Sequence, residues 1–262
     1  MERRKFMKLA GALAMTPSLS AIPAVNNLSE SLKSKKKEIY EWRIYTLIGD
    51  GGSLDTFFAD TLFPAYKRKG ITAGAFKLFR QKEGEKEQRH ILFIYPDIET
   101  FHKVKKEIRK DSKFTQTAQK FYDESAINPL YSNFETYIGE AFDKIPVYRK
   151  PDGSRTLFEI RIYRSPNEEA NQRKVKMFNL DEIDIFDKVG INSVLYGDIL
   201  AGPRMPALLY LTWYKDEPTR TEAWSKFSDH PDWKRISKLP EYAHTATNNQ
   251  SIFLAPLPYS QL

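Results

Sequence analysis

The chain has no cysteine. That excludes a disulfide scaffold, a thiolate nucleophile, a Cys-ligated zinc or iron–sulfur site and a lipid-modified N-terminal Cys. Histidine is scarce, with four in 262 residues. None of the four has the spacing to another His or carboxylate that a motif such as His-Glu-X-X-His requires. His90 begins an expected strand, His102 lies on a helix beside Lys105 and Lys106, His230 precedes Pro231 where it can cap a helix, and His244 falls in a loop. The expectation is therefore no metal and no cofactor. Long apolar runs are missing as well, and a mean hydropathy of -0.55 argues against an integral membrane protein. What is present, 41% hydrophobic and 13% aromatic residues, suits a globular protein with one large or two small domains.

The charge is +7 and the pI about 9.2, which invites a nucleic-acid reading until the charges are located. Residues 1–24 carry Arg3, Arg4, Lys5 and Lys8 against Glu2, and residues 25–38 carry four lysines against Glu30 and Glu38. Only +2 remains on residues 39–262, so no nucleic-acid partner is expected of the folded body. The start itself is informative. Arg3, Arg4, Phe6 and Lys8, followed by the short apolar stretch Leu9 to Met15, resemble a twin-arginine export signal; Glu2 and Met7 depart from its usual residues. The stretch is too short, and too interrupted by Pro17 and Pro23, for a permanent anchor. Ser18, Ser20 and Ala24 all offer cleavage positions. The expectation is a bacterial protein exported to the periplasm or beyond, with residues 1–24 as signal and 25–38 as a solvated spacer.

Self-similarity organises the rest. Tyr40-Glu41-Trp42-Arg43-Ile44-Tyr45 recurs as Phe158-Glu159-Ile160-Arg161-Ile162-Tyr163 at an offset of 118, and Gly70-Ile71 recurs as Gly190-Ile191 at 120. Asp111 and Phe114 match Asp229 and Trp233. A Pro-Asp-Gly linker separates the copies, so residues 39–140 and 157–262 read as two units joined by 141–156. Each predicts strand, helix, two strands, helix, strand. Ser53 and Ser165 are expected to cap the first helices, and Pro64 to break or kink the first of them. The fold class is α+β: two tandem ferredoxin-like βαββαβ repeats packed sheet to sheet as an internal dimeric α+β barrel.

The Tyr-Glu-X-Arg-X-Tyr opening, the strand Leu208 to Tyr214, the helix Glu222-Ala223-Trp224-Ser225-Lys226-Phe227 and the turn Asp229-His230-Pro231-Asp232-Trp233 resemble the NIPSNAP family. The second copy carries the match; the first keeps the opening strand and lacks the Trp-containing helix and turn. The resemblance implies a dimeric α+β barrel, an architecture shared with monooxygenases and small-ligand proteins, and implies no agreed activity.

Side chains alternate along a strand, so Tyr40, Trp42 and Ile44 share one face, and Glu41, Arg43 and Tyr45 the other. The apolar row is expected to lie under the helices. Glu41, Arg43 and Tyr45 would then meet Glu159, Arg161 and Tyr163 in a cavity between the sheets and bind a small acidic or aromatic ligand. The competing reading is a structural Glu–Arg ion pair in each copy. Lys103, Lys105, Lys106, Arg109 and Lys110 read as a solvated basic helix face, and Trp224, Phe227 and Trp233 as core. Two alternatives stay open for function: a cofactor-independent monooxygenase-like enzyme, and a structural or interaction module with a filled barrel. Assembly into a homo-oligomer is compatible with either. One expectation is testable in cells: changing Arg3 and Arg4 to Lys should leave the protein in the cytoplasmic fraction, and unimpaired export would rule out the twin-arginine route.

Overall fold

A computed structural model describes residues 36–153 and 155–262; the expected signal and most of the spacer lie outside them. Strand β1 (Ile39–Leu47) leads into α1 (Gly52–Phe57), which continues through one π-helical turn at Phe58–Leu62 into α2 (Phe63–Arg68). Then come β2 (Thr72–Leu78), β3 (Gln88–Tyr95), α3 (Ile98–Glu107), α4 (Ser112–Ile127) and β4 (Tyr131–Ala141). The order returns with β5 (Leu157–Arg164), α5 (Glu168–Met177), a π turn at Phe178–Glu182, α6 (Ile183–Val189), β6 (Asn192–Ala201), β7 (Ala207–Tyr214), α7 (Glu217–Asp229), α8 (Pro231–Ile236) and β8 (Asn248–Pro256).

The strands close a barrel in the order β1-β3-β2-β8-β5-β7-β6-β4, every pair antiparallel. Two seams join the halves. Phe76 to Leu78 of β2 pair with Leu254 to Pro256 of β8, and Ile138 to Ala141 of β4 pair with Gly197 to Ala201 of β6. The two sets of four strands therefore do more than face one another: their edges are hydrogen-bonded, which removes the exposed strand edges that two stacked sheets would leave.

Closure decides what fills the inside. Tyr40, Trp42, Phe76, Leu92, Phe158, Ile160, Leu209, Leu211 and Leu254 are all fully buried and form one cluster. Trp42 stacks on Phe76 at 5.7 Å between ring centroids, and Phe76 meets Phe158 edge-on at 4.9 Å. Two further clusters lie between the barrel wall and the helices of each half. The sheet is thus covered on both faces.

Local signals were partly misread. Gly51, at φ 83, precedes α1 without a side-chain cap, and Asn167, not Ser165, caps α5 by accepting from the Ala170 amide. Ser165 instead donates its hydroxyl to the Thr245 carbonyl at 2.7 Å. Gly51 is required twice over, because a Cβ there would sit 2.5 Å from the Leu47 side chain in addition to the positive φ. Pro64 does not break its helix: it occupies the first turn of α2, directly after the π turn. Proline is not the cause of that turn, since α5 and α6 are joined by the same π turn with Ile183-Asp184 in the equivalent place.

His90 is fully buried in the barrel wall. The Trp42 indole N–H donates to its Nδ1 at 3.3 Å, and its Nε2 lies 3.0 Å from Gln88 Oε1. An indole can only donate, so Nδ1 is the unprotonated nitrogen and Nε2–H donates to Gln88. Burial pulls the imidazole down to about 3 from 6.5. Between those values the unfolded chain binds a proton that the folded chain does not, so stability falls as pH drops below 6.5. The expected cost by pH 5 is about 2 kcal/mol. Urea melts at pH 7 and pH 5 should show that loss in the wild type and a correspondingly smaller one in His90→Gln; equal losses would contradict the assignment.

Candidate functional site

The alternation expected along β1 and β5 is present, with its faces reversed. Tyr40, Trp42 and Ile44 point into the barrel, and Glu41, Arg43 and Tyr45 lie under α1 to α4. Phe158, Ile160 and Ile162 likewise point inward, and Arg161 and Tyr163 lie under the second set of helices. The expectation assumed one apolar sheet face, which the helices must cover. A closed barrel has two buried faces, and its narrow interior takes the bulky apolar row. The charged row needs partners, and only the helices supply them.

In the first half, Arg43 bonds Glu41 Oε1 through Nε and Nη2 at 2.8 and 2.7 Å, and its Nη1 donates to the Tyr45 hydroxyl at 3.1 Å. Lys105 of α3 reaches the same carboxylate oxygen at 2.6 Å, and Tyr95 donates to the other at 2.6 Å. Burial alone would push the Glu41 carboxyl up; Arg43, Lys105 and the hydrogen bonds outweigh it and hold the group below its usual range. Burial pulls Lys105 down, Arg43 beside it adds to this, and Glu41 only partly opposes. The Arg43 guanidinium lies over the Phe93 ring at 5.0 Å. Above these groups opens a cavity of about 450 Å³, whose walls include Arg109 and the rings of Tyr66, Phe57, Phe58, Phe121 and Phe134.

The second half repeats the plan with different partners. Glu159, with no exposed side-chain surface, receives Arg161 at 2.7 Å, two bonds from Arg220 of α7 at 3.0 and 2.9 Å, and the Ser251 hydroxyl at 2.6 Å. Burial raises this carboxyl and the two arginines with Ser251 more than reverse it. Arg161 lies over the Trp224 ring at 4.3 Å and donates to Tyr163, which shares a 2.9 Å hydrogen bond with Tyr210. A second cavity of about 400 Å³ opens here, bounded by Arg161, Lys174, Glu182, Trp224, Trp233 and His244.

The six expected residues therefore form two clusters on opposite halves of the barrel wall and do not converge on one central cavity. The ion pairs of the competing reading are real, and an open cavity stands over each. Several participants were missed. Lys105 and Arg109 sit four apart, on the helix face that Phe101 marks as inward, yet the run of five basic residues hid them. Trp224 and Trp233, read as core, do pack against the core of the second half and also border its cavity. Glu182 falls on the otherwise apolar stripe of Phe178, Ile185 and Phe186, but Lys174 gave no signal, and the π turn between them brings the two together.

Residues 158–261 match the NIPSNAP family model. That span runs from β5 through β8, so the NIPSNAP match holds the Glu159 cluster and its cavity. No curated protein matches the chain. A candidate monooxygenase from Fusobacterium nucleatum superposes with a TM-score of 0.55 at 12% identity, over 86% of this chain and 94% of its own. One from Lactobacillus acidophilus does so at 0.50 and 10%, over 84% and 94%. These likenesses show a shared α+β barrel. A NIPSNAP-like domain protein from Burkholderia xenovorans aligns over 41% of this chain and 90% of its own, at 21% identity and a TM-score of 0.37.

The π turns give a register between the halves: Phe58 matches Phe178, and Leu54 and Leu62 stand where the NIPSNAP half has Lys174 and Glu182. Lys174 and Glu182 pair at 2.8 Å with 9% and 3% of their side chains exposed. Removing one partner strands a buried charge at a cost of about 3–5 kcal/mol, while replacing both by apolar groups is often neutral. Chemical denaturation should show Lys174→Leu strongly destabilised and Lys174→Leu/Glu182→Leu close to wild type; a near-neutral single variant would contradict the buried pair.

Proposed function

We propose that this is an exported small-ligand protein built from two tandem ferredoxin-like units, and that it holds an aromatic or apolar carboxylate in the cavity beneath α1 to α4. One observation carries the reading. The cavity is walled largely by aromatic rings, yet Glu41 is the sole carboxylate against Arg43, Lys105 and Arg109 among its described lining. An excess of positive charge on the cavity walls favours an anion, and a guanidinium offers it fork geometry. Lys105 points the same way: burial and Arg43 pull its pKa down, and a ligand anion would favour its charged form. Support for the duplicated units comes from the repeated element order and the paired π turns. The export signal and the cleaved, unanchored product rest on the sequence alone.

The monooxygenase alternative rests on fold likeness, and function resides in the site and not in the fold. The filled-barrel alternative describes the barrel interior well, but the cavities stand outside it.

Native mass spectrometry of the purified full chain should detect a copurifying acid, and calorimetric titration with aryl carboxylates such as benzoate and indole-3-acetate should give saturable binding. Arg43→Met should weaken it about tenfold to a hundredfold, the size of one lost charge-assisted hydrogen bond. Because Arg43 also compensates Glu41, Lys105→Met serves as the second variant, with circular dichroism to confirm folding. Unchanged affinity in both folded variants would reject the site.

A further inference from the structure

One end of the barrel carries a polar collar unconnected with either helix-covered cavity. Thr46 ends the inward row of β1, Gln88 starts that of β3, Arg164 ends β5 and Gln250 lies near the start of β8. Arg204, in the turn between β6 and β7, joins them around a recess of about 180 Å³ whose floor includes Ile44 and Ile252. The register explains the convergence. Thr46 pairs with Gln88, Ile44 with Glu135, and Arg164 with Asn248, so the inward residues of these strand ends all reach the same rim.

The collar is rich in donors. The Arg164 Nε is buried and has no hydrogen-bond partner among the described residues. Neither Arg164 nor Arg204 forms an ion pair among those residues. Glu135 is the one carboxylate among the described residues of the recess and does not come within bonding distance of either guanidinium. Gln88 adds a donor for a reason fixed in the core: Trp42 can only donate to His90 Nδ1, so His90 Nε2–H donates to Gln88 Oε1, and the Gln88 amide NH2 is left for the rim. Tyr137 and Thr46 bring hydroxyls. An arginine cannot shed its proton, and a buried N–H without an acceptor is costly.

We propose that this mouth is a binding site for a small oxyanion, a phosphate or the carboxylate of a small acid, clamped between Arg164 and Arg204 with the Gln88 amide as third donor. The recess has room for one such group. The site is independent of that cavity and of its function.

The test is calorimetric titration of the full chain, at low ionic strength, with inorganic phosphate and separately with acetate. Saturable binding of either anion is expected at millimolar concentration or below. Arg164→Met and Arg204→Met should each weaken it at least tenfold, and Glu135→Gln, which removes the opposing charge, should strengthen it. Lys150→Met, which removes one exposed positive charge from the loop before β5, at the end of the barrel opposite Arg164, controls for general electrostatic loss and should leave the affinity within twofold. Near-ultraviolet circular dichroism confirms that each variant is folded. Response to phosphate alone assigns a phosphate-type ligand, and response to both assigns any small oxyanion. Failure of both anions to bind, or binding that survives the loss of both arginines, overturns the site.

Discussion

Both helix-covered cavities of this molecule are built on two carboxylates that have been taken out of water. Glu41 and Glu159 occupy the same place on the first strand of each half, and each would be untenable there alone. The arginine two residues further on neutralises it along the strand, and a cation from the helix crossing above completes the shell: Lys105 in one half, Arg220 in the other. The bond ties sheet to helix at the point where the helices stand away from the wall. A charged, hydrogen-bonded floor under aromatic rings is the result, and the proposed anion site rests on it.

The two halves solve the same problem with different residues, and the difference shapes the cavities. In the first, Leu54 and Leu62 leave an apolar wall, so the positive groups stand out against it. In the second, Lys174 and Glu182 bring an internal ion pair to those positions, and Arg161 is covered by the Trp224 ring. The second cavity is accordingly more polar and its charges are better satisfied among themselves. The half that matches the NIPSNAP model is thus the one whose charged groups leave less demand for a ligand.

Much of this was legible in the sequence. The alternation of β1 and β5 and the order of strands and helices follow from period and turn chemistry, and Glu41, Arg43, Tyr45, Glu159, Arg161 and Tyr163 were singled out as the polar row, though as the lining of one cavity between the sheets. The face they would occupy was not legible, because Tyr40, Trp42 and Ile44 are what either a helix-covered face or a packed barrel requires. Only strand closure distinguishes the two, and closure depends on β2–β8 and β4–β6 pairing between residues about 60 to 180 apart in the chain. Lys105 was lost for a similar reason: five basic neighbours look solvated until a buried carboxylate is placed below one of them. Ser165 looked like a cap because it precedes Pro166, yet the Thr245 carbonyl lies close enough to claim its hydroxyl.

The central claim is that the ligand lies between the wall and the helices, with the barrel itself filled. A crystal structure of the full chain, purified without added ligand and then soaked with an aryl carboxylate, tests it most directly. The account predicts density for the acid beneath α1 to α4, its carboxylate on Arg43, with Trp42 and Phe76 still stacked in a closed barrel interior. Density for the acid inside the barrel, with the space over Arg43 closed by side chains, would contradict it.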